Sequence, residues 1–316
     1  MCYTKNIIPE NGGVEHINCD LCGSHDYDFC YKKPDTWLWL DQYEYSVVKC
    51  KKCGLVYVNP RPTPESMSSF YPDKYYINRD DENHQKRYAI QMDYLPNLHN
   101  EKILDIGCAK GDFLAFLKLH FPNLELFGMD FYSDGVNTNN IQFQNKKLTE
   151  CQYPDAFFDI ITAWAVFEHL HIPSEYFFEV NRILKAGGKF IFLVTNSESL
   201  YSKQAFQEDI PRHLYHFSEK TLEQYALKTG FNLTHIWYDD RIFDGRGIGT
   251  FYFALTSLFG CTWEGMHNNR MMTNAQKVAG VIGRLLDNII FYFHWETLLK
   301  RSGIVIVEFT KTGKNA

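Results

Sequence analysis

The sequence predicts an α/β fold: a parallel sheet with helices on both faces, preceded by a small cysteine-held module. Three observations predict it. From Lys102 onward, short apolar runs alternate with segments of helical periodicity. Ahead of that alternation, Cys19, Cys22, Cys50 and Cys53 form two C-x-x-C pairs. Of the 316 residues, 45% are hydrophobic and 22% charged, which is enough apolar surface for a sizeable core. Lys+Arg is 32 against Asp+Glu 38, a formal charge of −6. That balance disfavours a nucleic-acid partner, because phosphate affinity comes from clustered Lys and Arg. The aromatic share is 16%, and composition alone leaves open a stacking pocket, a contact surface or coding bias. The opening residues MCYTKNIIPENGG lack a basic stretch followed by an apolar run. The expectation is a cytoplasmic chain, in which nine cysteines do not read as a disulfide framework.

Each C-x-x-C pair is followed by glycine, Gly23 and Gly54. Such knuckles aim two thiolates at one centre, and two of them make a four-sulfur tetrahedral site suited to structural Zn²⁺. Tyr43–Val48 alternates as a strand, and Leu55–Val58 reads as its partner. The run Asn59-Pro60-Arg61-Pro62-Thr63-Pro64 then breaks regular structure. We therefore expect a zinc ribbon over 15–60, a helical linker or lid over 65–97, in which Tyr75 and Tyr76 fold over a ligand, and a main domain over 98–316. In the main domain, strands are expected at 103–106, 124–129, 141–143, 157–164, 190–194, 231–238 and 304–307, with helices at 111–120, 173–184 and 218–229. Residues 241–303 do not fit the alternation and read as an insertion. Their apolar, aromatic stretches flanked by basic residues suit a substrate lid, a self-association surface or a peripheral membrane contact.

The first strand runs into Asp105-Ile106-Gly107-Cys108-Ala109-Lys110-Gly111, and a helix follows. Ligands of such folds bind beyond the carboxyl ends of the strands. The spacing is G-x-x-x-G rather than the G-x-G-x-x-G of dinucleotide sites, and the acidic Asp105 suits an ammonium better than a pyrophosphate. S-adenosylmethionine (SAM) therefore fits better than NAD. Asp130, ending the second strand, is placed to accept from ribose hydroxyls.

The segment ILDIGCAKGDFL (103–114) resembles the first motif of class I SAM-dependent methyltransferases. FFDIITAWAVFEHL (157–170), VNRILKAGGKFIFLVTN (180–196) and DIPRHLYHFSEKTLEQYALKTGF (209–231) are similar to later motifs, in the same order. The leader CDLCG…CKKCGLVYVNPRPT is similar to the zinc-ribbon leader of a subgroup linked to glycan and sugar pathways. The resemblance implies a Rossmann-like sheet of order 3-2-1-4-5-7-6 with an antiparallel seventh strand. It also implies that Asp105, Gly107 and Gly111 surround the methionine end of SAM, with Cys108 in the same loop among the cofactor-binding residues. Asp130 would hold the ribose, Phe131 and Leu148 the adenine, and Trp164 would line the methyl-donor cavity.

Methyl transfer to oxygen or carbon also needs a base. Glu168-His169, just past the fourth strand, supplies His169 as candidate, with His213 in reserve. Arg212 reads either as a phosphate grip for an activated sugar or as half of a structural pair with Asp209. The expected function is a methyltransferase acting on a small-molecule or glycan acceptor. The competing expectations are an RNA methyltransferase gripping its substrate with the ribbon, and an inactive adaptor of the same fold. Over residues 1–75, eight Lys/Arg against ten Asp/Glu weigh against the RNA alternative.

Overall fold

A computed structural model describes residues 13–35, 40, 43–71, 81–131, 133, 135–136, 140–199, 209–243, 250–260, 272–293 and 295–313. Tyr75, Tyr76 and parts of the 241–303 insertion lie outside them. In chain order the strands are β1 (Val14–Glu15), β2 (Tyr27–Lys33), β3 (Tyr45–Cys50), β4 (Val56–Val58), β5 (Arg61–Pro62), β6 (Lys102–Ile106), β7 (Glu125–Met129), β8 (Ile141–Gln144), β9 (Phe158–Trp164), β10 (Leu184–Thr195), β11 (Tyr215–His216), β12 (Phe231–Trp237) and β13 (Ile304–Lys311). The helices are α1 (Pro64–Met67), α2 (Asp81–Asp93), α3 (Asp112–His120), α4 (Pro173–Ile183), α5 (Glu219–Thr229), α6 (Thr250–Leu258), α7 (Asn274–Ile290) and α8 (Trp295–Leu298).

The chain divides into two compact units, each drawn from three stretches. The first comprises 1–78, 195–216 and 238–304; the second comprises 79–194, 217–237 and 305–316. This departs from the division expected from sequence, which grouped everything after residue 98 together. The reason is pairing that local patterns do not encode. β11, more than 150 positions after β4, joins it antiparallel with Tyr215 opposite Tyr57.

The second unit holds a seven-stranded sheet of order β12-β13-β10-β9-β6-β7-β8. β6 lies parallel to β7 and β9, β9 to β10, and β7 to β8, while β12 pairs antiparallel with β13. The strands form here because their apolar runs are buried on both faces: Ile103, Leu104 and Ile106 on β6, and Phe190 to Val194 on β10. Helix α3 starts at Gly111 in the left-handed region (φ 77°) and buries Phe113, Leu114, Phe116 and Leu117 at helical spacing. Helix α5 is closed by a capping box between Ser218 and Thr221 and ended by left-handed Gly230. Phe167, Phe177, Phe190, Phe192, Tyr225 and Phe309 pack ring on ring, with centroids 4.5–5.7 Å apart along Phe190–Phe192, Phe167–Phe177, Phe177–Tyr225 and Phe177–Phe309. Much of the aromatic excess is thus structural core.

The first unit holds a four-stranded antiparallel sheet, β11-β4-β3-β2, and the short pair β1–β5. Its apolar centre is Tyr45, Val47, Val48, Leu55, Tyr57 and Val58. Arg61 is buried, with its Nε 2.8 Å from Glu15 and its Nη1 donating to the Tyr215 hydroxyl at 2.9 Å. In the same unit, α6 and α7 pack on each other. The Asp287 carboxylate on α7 accepts from the Phe251 and Tyr252 N–H groups at 2.7 and 3.0 Å, so it caps the start of α6 from a neighbouring helix. Among the described residues, no helix is long and apolar enough to cross a membrane.

Candidate active site and cysteine cluster

In the first unit the two knuckles converge. The Sγ atoms of Cys19 and Cys53 lie 3.4 Å apart, those of Cys22 and Cys50 3.5 Å, and all four fall within 4.8 Å of one another. A tetrahedral ion with metal–sulfur bonds of about 2.3 Å needs sulfurs about 3.8 Å apart, so the cage has the right size. The glycines make the turns possible: Gly23 (φ 70°) and Gly54 (φ 86°) return their N–H groups to the carbonyls of Cys19 and Cys50. Burial raises the Cys19 and Cys53 thiols, the latter to about 11. Burial also opposes ionisation of Cys50, but the N–H groups of Cys53 and Lys52 outweigh it and bring that thiol to about 7. Four thiols this crowded ionise together only around a cation, which is the donor chemistry of a soft divalent metal.

In the second unit the turn after β6 is held by a carboxylate. Asp130 Oδ2 accepts from the Ala109 N–H at 2.9 Å, and its Oδ1 accepts from the Ser133 N–H at 2.9 Å. The Gly107 and Cys108 N–H groups return to the Met129 carbonyl. The loop and the end of β7 are thereby one rigid corner. Gly107 was expected to stand beside the methionine end of the cofactor. The structure adds a nearer reason for a glycine: with φ 71°, a Cβ there would stand 2.5 Å from Val166 Cγ2. Cys108 was expected beside the cofactor, yet its buried thiol packs against Gly128, where an added Cβ would come within 2.7 Å of the sulfur. Burial, with Asp105 and Asp130 adding to it, holds its ionisation well above the usual thiol range.

Asp105 is buried and accepts from the Thr162 hydroxyl at 2.7 Å. Burial, with Asp130 adding to it, pushes its carboxyl up to about 7 despite the Thr162 hydrogen bond. The folded state therefore holds a proton on Asp105 that the unfolded chain releases near pH 4. Stability contributed by this group is full below that pH and is lost as pH rises through 7. Asp105→Asn should flatten this fall, raising stability at pH 8 relative to wild type by on the order of a few kcal/mol. Denaturant titrations of both proteins at pH 5 and pH 8 check it; parallel pH profiles would refute it.

Trp164 ends β9, meets the Phe113 ring edge-on at 5.5 Å, and has a buried Nε1 with no hydrogen-bond partner among the described residues. Phe131 is 49% exposed, with Lys147 Nζ 5.6 Å from its ring centre. Leu148 has a buried side chain at the start of a 3-10 turn. Glu168 and His169 share one turn of 3-10 helix just past β9, Glu168 buried and His169 half-buried. In the first unit, His213 is buried, with Nε2 3.3 Å from Asp209.

Arg212 departs from one expectation. It is completely buried; its guanidinium spans Asp35 (2.9 and 3.2 Å), pairs with Asp209 and donates to the Phe70 carbonyl. Burial would lower its basicity, but the Asp209 and Asp35 carboxylates outweigh that and hold it charged. Both carboxylates are internal, so the side chain is committed to structure rather than to a phosphate. Asp35 lies 177 positions upstream and was missed at the level of sequence.

Residues 81–236 match the family described as a methyltransferase domain. The demethylmenaquinone methyltransferase of Deinococcus radiodurans is 29% identical over 101 residues, which is 29% of this chain and 42% of that protein. The malonyl-[acyl-carrier protein] O-methyltransferase of a Paenibacillus species is 26% identical over 120 residues, 34% of this chain and 44% of that protein. The chain thus spans less than half the length of either relative. A solved complex of a Haloferax volcanii methyltransferase with the Trm112 methyltransferase activator contains a chain similar at 17% identity and TM-score 0.49, covering 73% of this chain and 92% of that one. Residues 81–236 thus resemble a methyltransferase domain, and the strands they contribute belong to a Rossmann-like α/β sheet with the loop after β6 and a carboxylate ending β7.

Proposed function

We propose that the protein is a SAM-dependent methyltransferase acting on an oxygen or carbon of a small-molecule or glycan-type acceptor, with one structural Zn²⁺ on Cys19, Cys22, Cys50 and Cys53. The observation that carries it is the corner in which Asp130 fixes the Asp105–Gly111 turn through the Ala109 N–H. Asp130 follows β7 directly at this corner and is the carboxylate assigned to the ribose hydroxyls. Phe131 offers an exposed ring for an adenine, and Trp164 Nε1, with no hydrogen-bond partner among the described residues, supplies a donor at the end of β9. When bound, SAM supplies a methyl group already activated on a sulfonium. What remains for the protein is alignment, exclusion of water and removal of the acceptor's proton. His169 is assigned that proton because its imidazole stands just past β9 and histidine is the side chain suited to general-base work, with Glu168 holding the turn. A named O-methyltransferase among the relatives favours oxygen as the acceptor atom.

Calorimetry with SAM tests the placement. Asp130→Ala should weaken binding by roughly 1–3 kcal/mol, because charge-assisted hydrogen bonds are lost. Labelled methyl transfer into nucleotide sugars and cell extract should fall with it. Wild-type SAM affinity in the variant would remove the site from this corner.

A further inference from the structure

Helix α7 presents its large apolar side chains to solvent and its small ones to its neighbour. Ala279, Gly280, Gly283 and Asp287 are the buried positions. They let α6 approach so closely that a Cβ on Gly283 would stand 2.5 Å from Tyr252 Cα, and one on Gly280 2.8 Å from the Tyr252 ring. On the opposite side, Val278, Val281, Ile282, Leu285 and Ile289 recur at helical spacing in a single stripe, each 47–62% exposed. The stripe runs on into exposed Tyr292, Phe293 and Trp295. A continuous apolar face of this kind marks an interaction surface.

Charge identifies what it meets. Residues 241–303 contain seven Lys/Arg and four Asp/Glu, a formal +3, within a chain of −6. One of the four acids, Asp287, is spent on the start of α6. Lys277 and Arg284 lie along one flank of the stripe by helical position, and the Arg284 guanidinium rests 4.8 Å above the Tyr252 ring. A second copy would set one basic face against another. An anionic lipid surface complements both the charge and the apolar stripe, and Tyr and Trp at the end of the stripe are the residues that settle at headgroup depth.

We propose that α7 and the aromatic turn after it lie in the surface of an anionic bilayer, with the stripe in the acyl boundary and the basic flank among the headgroups. The helix lies along the membrane rather than crossing it, in keeping with the absence of a spanning helix among the described residues. The proposal is independent of the methyl-transfer assignment.

Flotation of the full chain with vesicles tests it, using phosphatidylcholine alone and phosphatidylcholine mixed with phosphatidylglycerol. Binding to the mixed vesicles is expected, weakened by salt and much reduced on phosphatidylcholine alone. Leu285→Glu with Ile289→Glu should lower binding at least about tenfold, since both side chains leave apolar contact and add like charge to the lipid. Val281→Ser with Ile282→Ser, which adds no charge, should weaken it less. All four positions are exposed, so circular dichroism should match wild type. Absence of binding to mixed vesicles, or unchanged binding by the glutamate variant, would overturn the proposal. So would equal, salt-insensitive binding to phosphatidylcholine, or a dimer that the same variants dissociate in a chain that does not float.

Discussion

Cys19→Ser is expected to abolish stoichiometric zinc and to unfold the β2–β3–β4–β11 sheet while the seven-stranded sheet persists. In the first unit's sheet β4 spans only three residues and β2 has mostly exposed side chains, so its own core is thin. A structural zinc contributes on the order of 10–16 kcal/mol to such a module. Losing one of four ligands forfeits much of that. It also leaves Cys53, whose sulfur sits 3.4 Å from that of Cys19, beside a hydroxyl that binds zinc poorly. Hydrogen exchange gives the readout: amides of Tyr45–Cys50 should lose protection, and those of β6 and β9 should keep it. A strong chelator should have the same effect on wild type. Full protection of β3 in metal-free protein would show that the thiols are merely neighbours.

Arg212→Ala is expected to cost about 3–5 kcal/mol, because it strands Asp35 and Asp209 without their cation. Asp35 is wholly buried, so no solvent replaces the guanidinium. Arg212→Lys should recover only part of the loss, since an ammonium cannot reproduce the two-pronged contact with Asp35. Chemical denaturation measures both. A variant as stable as wild type but impaired in binding a phosphorylated acceptor would restore the substrate-gripping role for this arginine.

These two sites differ in how far the sequence exposes them. The four cysteines are legible because metal ligation requires a particular element at a particular spacing, and the glycines after each pair repeat the signal. Strands β6, β7, β9 and β10 are legible because burial on both faces demands unbroken apolar runs. The Arg212 cluster is legible only in part: Asp209 is three residues away, on the same turn, whereas Asp35 arrives through tertiary folding. The pairing of β11 is hidden for the same reason, as two residues carry no period. Around the loop after β6, the glycines and Asp130 stand out by type and order. Where the Cys108 thiol packs depends on which way it points, and no pattern of residue types encodes that. Val166 against Gly107 is likewise a clash visible only in three dimensions.

Strand β13 lies far along the chain yet sits inside the sheet, between β10 and β12, and β12 has no other neighbour there. On the ribosome, β6 through β10 can pair as soon as residue 195 has emerged. β12 is complete at Trp237 but must wait for Lys311, a further 311 − 237 = 74 residues. At synthesis rates of about 5–20 residues per second, that is a delay of roughly 4–15 s. Throughout it the exposed side of β10 and the aromatic strand Phe231–Trp237 are both open edges, the kind of surface that recruits chaperones or pairs with the wrong chain. The nascent protein is thus most vulnerable while the amphipathic hairpin of α6 and α7 is being made, and α5 must hold β12 near its place until the closing strand arrives.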